Sequence, residues 1–153
     1  MTKEQHVIYI PGFGDSRSAG QISILKTWRL WGVKTHYSPV YWNNDEPFEQ
    51  KLNKLLALVD KLSSSDKIVS LVGISAGGSM AMNVYAAREN QIHRVVFICS
   101  KLLYPETVSE RYFQTHPAFR KSVFLADSNF KKLDSDDRVK MLSMYALADN
   151  TVP

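Results

Sequence analysis

Five consecutive residues near the middle of the chain, Gly73-Ile74-Ser75-Ala76-Gly77, place a serine between two glycines in a G-x-S-x-G pattern. The apolar run IVSLVG precedes the serine and predicts a strand buried on both faces, whereas AGGSMAMNVYAA follows it and predicts a helix. A chain that turns from strand to helix at one residue needs small neighbours, because side chains at Gly73 and Gly77 would collide with the crossing backbone. Such a turn holds the Ser75 hydroxyl at the carboxyl edge of the sheet, beside the N–H groups that begin the helix. The pattern therefore predicts a nucleophilic serine; its alternative is a structural or phosphate-binding turn.

A second glycine-containing segment, PGFGDS, ends the first apolar run of the chain. Acyl transfer produces an intermediate with negative charge on oxygen, and preorganised backbone N–H groups stabilise that charge. Because Gly12 and Gly14 have no side chains, we expect the backbone of this segment to approach its neighbours closely. Taken alone, the segment fits an ordinary strand-to-helix turn with Asp15 or Ser16 near the helix start. Together with Ser75 it predicts one site, with Gly12 and Gly14 in contact with the substrate.

Apolar segments alternate with helix-like segments along the chain. Short apolar runs bounded by Gly, Pro or polar residues predict strands, and apolar residues at intervals of three and four predict helices. Strands are predicted at residues 7–10, within residues 33–42 with Pro39 near the end of the strand, and at residues 68–72, 95–99 and 141–148. Helices are predicted at residues 18–31, at 45–62 with Asp45 as the cap, at 76–88, and along much of the stretch between the fourth and fifth strands. Apolar strands separated by helices predict an α/β fold, a three-layer sandwich whose mainly parallel sheet is covered on both faces.

Length and composition predict one globular domain over residues 1–153, because 44% of the residues are hydrophobic and 22% are charged. No apolar run has the length of a membrane span, and the N-terminal segment lacks the pattern of a secretory signal. The single cysteine, Cys99, excludes an internal disulfide and is typical of a reducing compartment, so we expect a cytoplasmic protein. The formal charge of +4 comes from basic residues interleaved with acids, which predicts a solvated surface and neither a nucleic-acid nor a membrane partner.

Three segments together, VIYIPGFGDS, IVSLVGISAGG and MLSMYALADNTVP, resemble the α/β-hydrolase superfamily. The resemblance extends from the third strand of that fold to the loop after its seventh, and it implies a compact member without the first two strands and the last strand. It implies Ser75 as the nucleophile and Asp149 as the acid that follows it in chain order. It also implies the backbone N–H groups of Phe13 and Ala76 as the oxyanion hole. The implied function is hydrolysis of a carboxylic ester or related acyl bond of a small molecule through an acyl-enzyme at Ser75, with no cofactor.

A serine hydroxyl becomes an effective nucleophile when a base takes its proton, and the resemblance implies a histidine after the acid. Reaching that histidine from Asp149 takes a loop, a helix and a strand, roughly 25–30 residues, and four residues follow Asp149 in the sequence. We therefore expect the sequence to be incomplete at its C-terminal end. Among the histidines present, His6 and His93 should precede strands at the amino edge of the sheet, and His36 should pack within a strand. His116 is the one that could reach the carboxyl edge.

Residues 101–133 lie where members of the superfamily often insert a cap over the site, so a cap or helical insertion is predicted there. Its aromatic side chains either line an acyl pocket or pack between helix and sheet; they are Tyr104, Tyr112, Phe113, Phe119, Phe124 and Phe130. No cluster of Cys, His and carboxylate residues has the spacing of a metal site.

Two alternatives to an esterase follow from the same sequence. A member of the same fold could keep the serine turn and lack a working base. Alternatively, five parallel strands in the order 2-1-3-4-5 would match a flavodoxin-like binding domain. PGFGDS and GISAGG would then face each other across the crevice at the switch point and hold a phosphate or a flavin.

Overall fold

The computed structural model describes residues 3–15, 18–63 and 66–146, which form a five-stranded sheet and its covering helices. The strands are β1 Glu4–Ile10, β2 Val33–Tyr37, β3 Lys67–Ile74, β4 Ile92–Ile98 and β5 Met141–Met144. Their order is β2-β1-β3-β4-β5, and every neighbouring pair is parallel. Parallel pairing puts the carboxyl ends of all five strands at one edge, where Ser75 lies. The predicted α/β sandwich and its strand order are confirmed.

Helices cover the two faces of the sheet unequally. They are α1 Ala19–Thr27, α2 Phe48–Leu62, α3 Ala76–Ala87, α4 Glu110–Thr115, α5 Pro117–Lys132 and α6 Ser135–Arg138, with 3₁₀ turns at Trp28–Trp31 and Pro105–Thr107. On one face, residues of α2, α3 and α5 form a core with Ile8 and Ile10 of β1. On the other face, Leu25 of α1 packs against Tyr9 and Val72. Alternate residues of β1 thus enter different cores, which is why its sequence is apolar without alternation. No helix in the described ranges combines the length and apolarity needed to cross a membrane.

Strand β2 occupies the first half of residues 33–42 and ends close to Pro39, as predicted. It ends at Tyr37, and Pro39, which has no N–H to donate to a sheet, lies just beyond. Residues 38–44 leave the sheet as a segment that we call the β2 loop. Trp42 in this loop is 1% exposed and belongs to the main core. The apolar residues beyond Tyr37 are therefore buried as part of a loop and not as part of the strand.

Helix α2 begins three residues after its predicted cap, Asp45. Its first residue is Phe48, and Pro47 occupies the cap position without a side-chain hydrogen bond. Helical backbone is unfavourable for a residue that precedes a proline, so Glu46, which precedes Pro47, does not begin a helix after Asp45. The predicted fifth strand ends earlier than expected, at Met144, and residues 147–153 lie outside the described ranges.

The segment at residues 101–133 contains α4 and α5, and α5 joins the helix layer on the sheet. Buried polar groups connect it to α3: the Ser122 hydroxyl lies 2.8 Å from the Ser79 hydroxyl, and the Asn83 amide donates to Ser122 O at 2.9 Å. Phe113 and Phe119 are buried in the main core. At these two aromatic positions the packing role is confirmed, whereas a cap over the site stays a prediction.

The amino half of the sheet holds a cluster formed by Glu4, His6, Lys34 and His36. Strand β1 begins at Glu4, so His6 lies within the strand and not before it as predicted. The Glu4 carboxylate forms an ion pair with Lys34 and lies 2.5 Å from His6 Nε2. His6 Nδ1 lies 2.9 Å from Nε2 of His36, which packs within β2 as predicted. Hydrogen bonds from Lys34 and then from His6 lower the pKa of Glu4 to about 2.

Replacing Glu4 with glutamine should make the stability of the protein less dependent on pH in acid. The stabilising contribution of the carboxylate is present above its ordinary pKa of 4.5 and is lost as the pH falls from there toward about 2. The difference in free energy of unfolding between wild type and Glu4→Gln, measured by urea denaturation, should therefore shrink over that range. Lys34→Met should also make the free energy of unfolding less dependent on pH over this range, because it removes the principal hydrogen-bond partner of Glu4. A difference that does not change with pH would contradict this account.

Candidate active site

Ser75 is the single residue between strand β3 and helix α3, and its backbone is strained. Its φ of 53° and ψ of −121° lie outside the regions that residues with a side chain normally adopt. Two backbone hydrogen bonds hold this conformation: the Ser75 N–H donates to Ile98 O at 2.9 Å, and the Gly78 N–H donates to Ser75 O at 3.0 Å. The half-buried Ser75 side chain makes no cap bond to α3, so the helix start does not occupy its hydroxyl.

Close backbone contacts explain why glycines flank Ser75. A Cβ at Gly77 would lie 2.1 Å from Ile10 O and 2.6 Å from Pro11 O. A Cβ at Gly73 would lie 2.7 Å from the Gly78 Cα. These distances are shorter than any normal contact, so α3 can cross the ends of β1 and β3 only where these residues lack side chains. The predicted reason for the two glycines is confirmed.

Ser100, which the sequence analysis missed, fills the space beside the turn. Its buried hydroxyl lies 3.1 Å from Gly73 O and 3.1 Å from Ile98 O, so it links the ends of β3 and β4. A Cβ at Gly78 would lie 2.1 Å from this hydroxyl, and a third glycine is therefore needed at the helix start. A serine just after a strand forms no recognisable sequence motif. The consecutive glycines Gly77-Gly78 were the one sequence feature that indicated a close neighbour at the helix start.

The loop after β1 lies directly against Ser75. A Cβ at Gly12 would lie 3.0 Å from the Ser75 Cβ and 3.4 Å from its hydroxyl, so the peptide between Gly12 and Phe13 adjoins the serine. Ala76 begins helix α3, where backbone N–H groups have no partner within the helix. The structure thus brings these four residues together. Gly14 differs, because it is exposed and a Cβ there would meet no described atom within 4 Å, so the expected close approach of its backbone is absent.

Aromatic rings surround Phe13. The distances between ring centroids are 4.4 Å to His116, 4.8 Å to Phe119, 5.9 Å to Tyr112 and 6.2 Å to Trp42. The rings of Phe119 and Trp42 meet Phe13 edge to face, whereas the Tyr112 ring is parallel to it. Helices α4 and α5 therefore contact the loop that adjoins Ser75. This side of the candidate site is an aromatic wall.

His116 is the histidine that reaches this edge of the sheet. Its Nε2 lies 2.6 Å from Asn43 Oδ1, and its Nδ1 lies 2.8 Å from Thr115 Oγ1. Both ring nitrogens therefore have partners, and the ring connects the β2 loop to the start of α5. The other three histidines lie in β1, β2 and β4; the one in β4, His93, is exposed and lies within the strand, not before it as predicted.

The predicted acid, Asp149, lies outside the described residues, so its place relative to Ser75 stays a prediction. In the described part of the chain, no group of three or more His, Cys, Asp or Glu side chains is arranged to hold a metal ion. The structure assembles a strained serine, a helix start, an adjoining backbone loop and an aromatic wall. Such an arrangement can bring a hydroxyl to a carbonyl carbon with backbone N–H groups near the carbonyl oxygen.

Solved structures similar to this chain are esterases and lipolytic enzymes. A structure described for LipS and LipT, two metagenome-derived lipolytic enzymes, aligns with a TM-score of 0.70 at 13% identity, over 100% of this chain and 76% of that one. Est1E from Butyrivibrio proteoclasticus aligns with a TM-score of 0.68 at 20% identity, over 100% and 71% of the two chains. The metagenomic carboxyl esterase MGS0156 aligns with a TM-score of 0.62 at 16% identity, over 97% and 51%. No protein-family model and no curated protein sequence matches the chain. The chain therefore has the α/β-hydrolase fold, and at these identities the likeness concerns the fold alone.

Gly77→Ala should lower the free energy of unfolding by about 1–3 kcal/mol or more, because overpacking at a rigid backbone crossing is destabilising. The new Cβ would collide with Ile10 O and Pro11 O, which the sheet holds in place. Gly14→Ala is the matched control, and the open space around Gly14 should limit its effect to about 0.5 kcal/mol. Urea denaturation followed by circular dichroism measures both. Equal losses at the two positions would contradict the steric explanation of the turn.

Proposed function

We propose that the chain is a serine hydrolase that cleaves a carboxylic ester or a related acyl bond through an acyl-enzyme at Ser75. The observation that carries the proposal is the left-handed backbone of Ser75 beside the peptide between Gly12 and Phe13. Strain of this kind persists where the surrounding structure over-determines it, and it is typical of sites that present a reacting group. A phosphate cradle needs backbone N–H groups but no protruding serine, so the geometry favours a nucleophile.

In the proposed reaction the Ser75 oxygen attacks the carbonyl carbon of the ester, and its proton passes to a base. The carbonyl oxygen gains negative charge and accepts hydrogen bonds from the N–H groups of Phe13 and Ala76, each worth about 3–4 kcal/mol of transition-state stabilisation. The bond to the alcohol then breaks, and the alcohol leaves with the proton from the base. Water attacks the acyl group next, and the acid is released as Ser75 regains its proton.

The base in this proposal is a histidine oriented by Asp149, as the resemblance implies. A carboxylate beside the ring fixes its tautomer and stabilises the imidazolium formed when the serine is deprotonated. Three of the four histidines have other partners, since His6 pairs with His36 and His116 pairs with Asn43. The fourth, His93, is exposed near the amino end of β4, away from the carboxyl edge that carries Ser75. The proposal therefore gives none of them the role of base.

The substrate we propose is a small carboxylic ester or related acyl compound. The rings of Phe13 and Tyr112, next to the loop that adjoins Ser75, form an apolar surface that suits an alkyl or aryl group. Similar structures are described as a carboxyl esterase and as lipolytic enzymes, and one is of Est1E with ferulic acid bound. Gly12 and Gly14 are the backbone positions proposed to contact the substrate, and the chemistry needs no cofactor.

In a protein that contains the histidine proposed as the base, a fluorophosphonate probe should label Ser75, and the protein should hydrolyse an activated ester such as p-nitrophenyl acetate. Ser75→Ala should abolish labelling and lower kcat by about 10⁶-fold, because removing the nucleophile of a triad has an effect of that size. Peptide mass spectrometry locates the label. Ser23→Ala is the matched control, since it removes an exposed serine of α1 and should keep both activities.

A folded wild-type protein that is not labelled, and that hydrolyses the ester no faster than Ser75→Ala, would contradict the hydrolase proposal. That result would favour a member of the fold that lacks catalysis. If the unlabelled protein also carried the absorbance of a flavin, the flavodoxin-like alternative would take its place.

A further inference from the structure

Two oppositely charged side chains are buried on either side of one residue of the β2 loop, Tyr41. Asp15 and Lys51 are 3% and 2% exposed, which is rare for charged residues unless they have close partners. Asp15 Oδ2 accepts a hydrogen bond from the Tyr41 N–H at 2.5 Å. Lys51 Nζ donates a hydrogen bond to Tyr41 O at 2.7 Å. The N–H and the C=O of one residue are thus held by opposite charges, and we call Asp15, Tyr41 and Lys51 the Tyr41 anchor.

Lys51 is held in the anchor by several acceptors. Its Nζ also donates to Val40 O at 3.1 Å and to the side-chain oxygen of Asn44. The Glu46 carboxylate lies 3.9 Å away. Burial lowers the pKa of Lys51, and the charge of Glu46 opposes that shift. The ammonium group has three acceptors for its three protons, so its direction in the core is fixed.

Tyr41 has a backbone conformation that needs such support. Its φ is 55°, in the left-handed region that residues with a side chain seldom adopt. Its side chain is half exposed and therefore contributes little packing that could compensate for the strain. A strained residue persists when its surroundings over-determine its conformation. In the β2 loop Tyr41 is held by the two charged groups of the anchor and by the Asn44 N–H, which donates to Tyr41 O at 3.2 Å.

The anchor adjoins the loop proposed to donate to the oxyanion. Asp15 is two residues after Phe13, and its backbone oxygen accepts a hydrogen bond from Tyr37 OH at 3.0 Å. Trp42 follows Tyr41, and its ring meets the ring of Phe13 at a centroid distance of 6.2 Å. The loop that carries Phe13 is therefore joined to the β2 loop by a charged hydrogen bond and by a ring contact.

We propose that Asp15 and Lys51 are positioning residues that hold the Phe13 N–H in line with the oxyanion by means of the Tyr41 anchor. This inference rests on the proposed function, in which Phe13 is a donor. A ring contact alone would bring the two loops together without fixing the direction of a peptide. A hydrogen bond between a carboxylate and an amide is both stronger and directional, so it supplies what the ring contact lacks.

Amide hydrogen exchange tests the anchor without any need for activity. Asp15→Ala should raise the exchange rate at least about tenfold in residues 12–15 and 40–44, because a hydrogen bond to a charged group is lost. Helix α3 should keep its wild-type rates. Asp15→Asn keeps an acceptor for the Tyr41 N–H and should give intermediate rates; it also serves as the test if the alanine variant does not fold.

Val59→Ala is the matched control for a general loss of stability. Val59 is fully buried in α2, outside residues 12–15 and 40–44, and shortening it removes core packing while leaving the hydrogen bonds of the Tyr41 anchor in place. Its effect on exchange should not be concentrated in residues 12–15 and 40–44. Unchanged exchange in residues 12–15 of both Asp15 variants, or the same local increase in Val59→Ala, would overturn the proposal.

Kinetics with the activated ester test the consequence for the site. Asp15→Ala should lower kcat by about 10²-fold with little change in KM, because an oxyanion donor acts in the transition state and its loss has an effect of that size. Val59→Ala should leave both parameters close to those of the wild type. A change in KM with kcat intact would overturn the positioning role. If the wild type fails to label at Ser75, the proposed function fails, and the exchange rates still decide whether the anchor holds the loop.

Discussion

The crossing of helix α3 over the ends of strands β1 and β3 is a contact between backbones, and the rest of the candidate site depends on it. A Cβ on Gly77 would lie 2.1 Å from Ile10 O, and a Cβ on Gly73 would lie 2.7 Å from the Gly78 Cα, so both would collide with backbone. Any larger residue at these positions would lift the helix from the sheet. Because α3 packs so closely on the ends of β1 and β3, the turn at Ser75 and the loop after β1 come into direct contact. The geometry of the site thus follows from backbone packing and not from contacts between its side chains.

Buried polar contacts between α3 and α5 fix the position of the aromatic wall relative to the turn at Ser75. The hydroxyls of Ser79 and Ser122 lie 2.8 Å apart, and the Asn83 amide donates to Ser122 O at 2.9 Å. These groups are buried, so sliding α5 along α3 would deprive the Ser122 hydroxyl and the Asn83 amide of these partners, at about 1–3 kcal/mol for each. The register of α5 is therefore well determined. Since Phe119 belongs to α5, the same contacts set where its ring meets Phe13.

Features that depend on local patterns could be predicted from the sequence, and features that depend on distant partners could not. Apolar runs and periodic stripes predict the strands, the helices and a parallel sheet, and the spacing of small residues predicts the turn at Ser75. Asp15 was interpreted as a residue near a helix start, whereas its carboxylate bonds to Tyr41, 26 residues later in the chain. No residue pattern near Asp15 in the sequence indicates that partner. Gly14 shows the converse, because its type suggested a close contact that its surroundings do not contain.

Backbone strain in the described residues is concentrated at the edge of the sheet that carries Ser75. The non-glycine residues with positive φ are Tyr41, Ser75, Cys99 and Tyr104, and all lie in segments that leave the carboxyl ends of β2, β3 and β4. At the opposite edge, the left-handed position before β2 is Gly32, which adopts it without strain. Each strained residue costs about 1–3 kcal/mol, and the helices and sheet do not need that cost to form. A difference of this kind between the two edges is expected if the carboxyl edge must hold groups in directions that relaxed loops would not give. The strained residues therefore lie at the same edge of the sheet as the glycines spaced around Ser75.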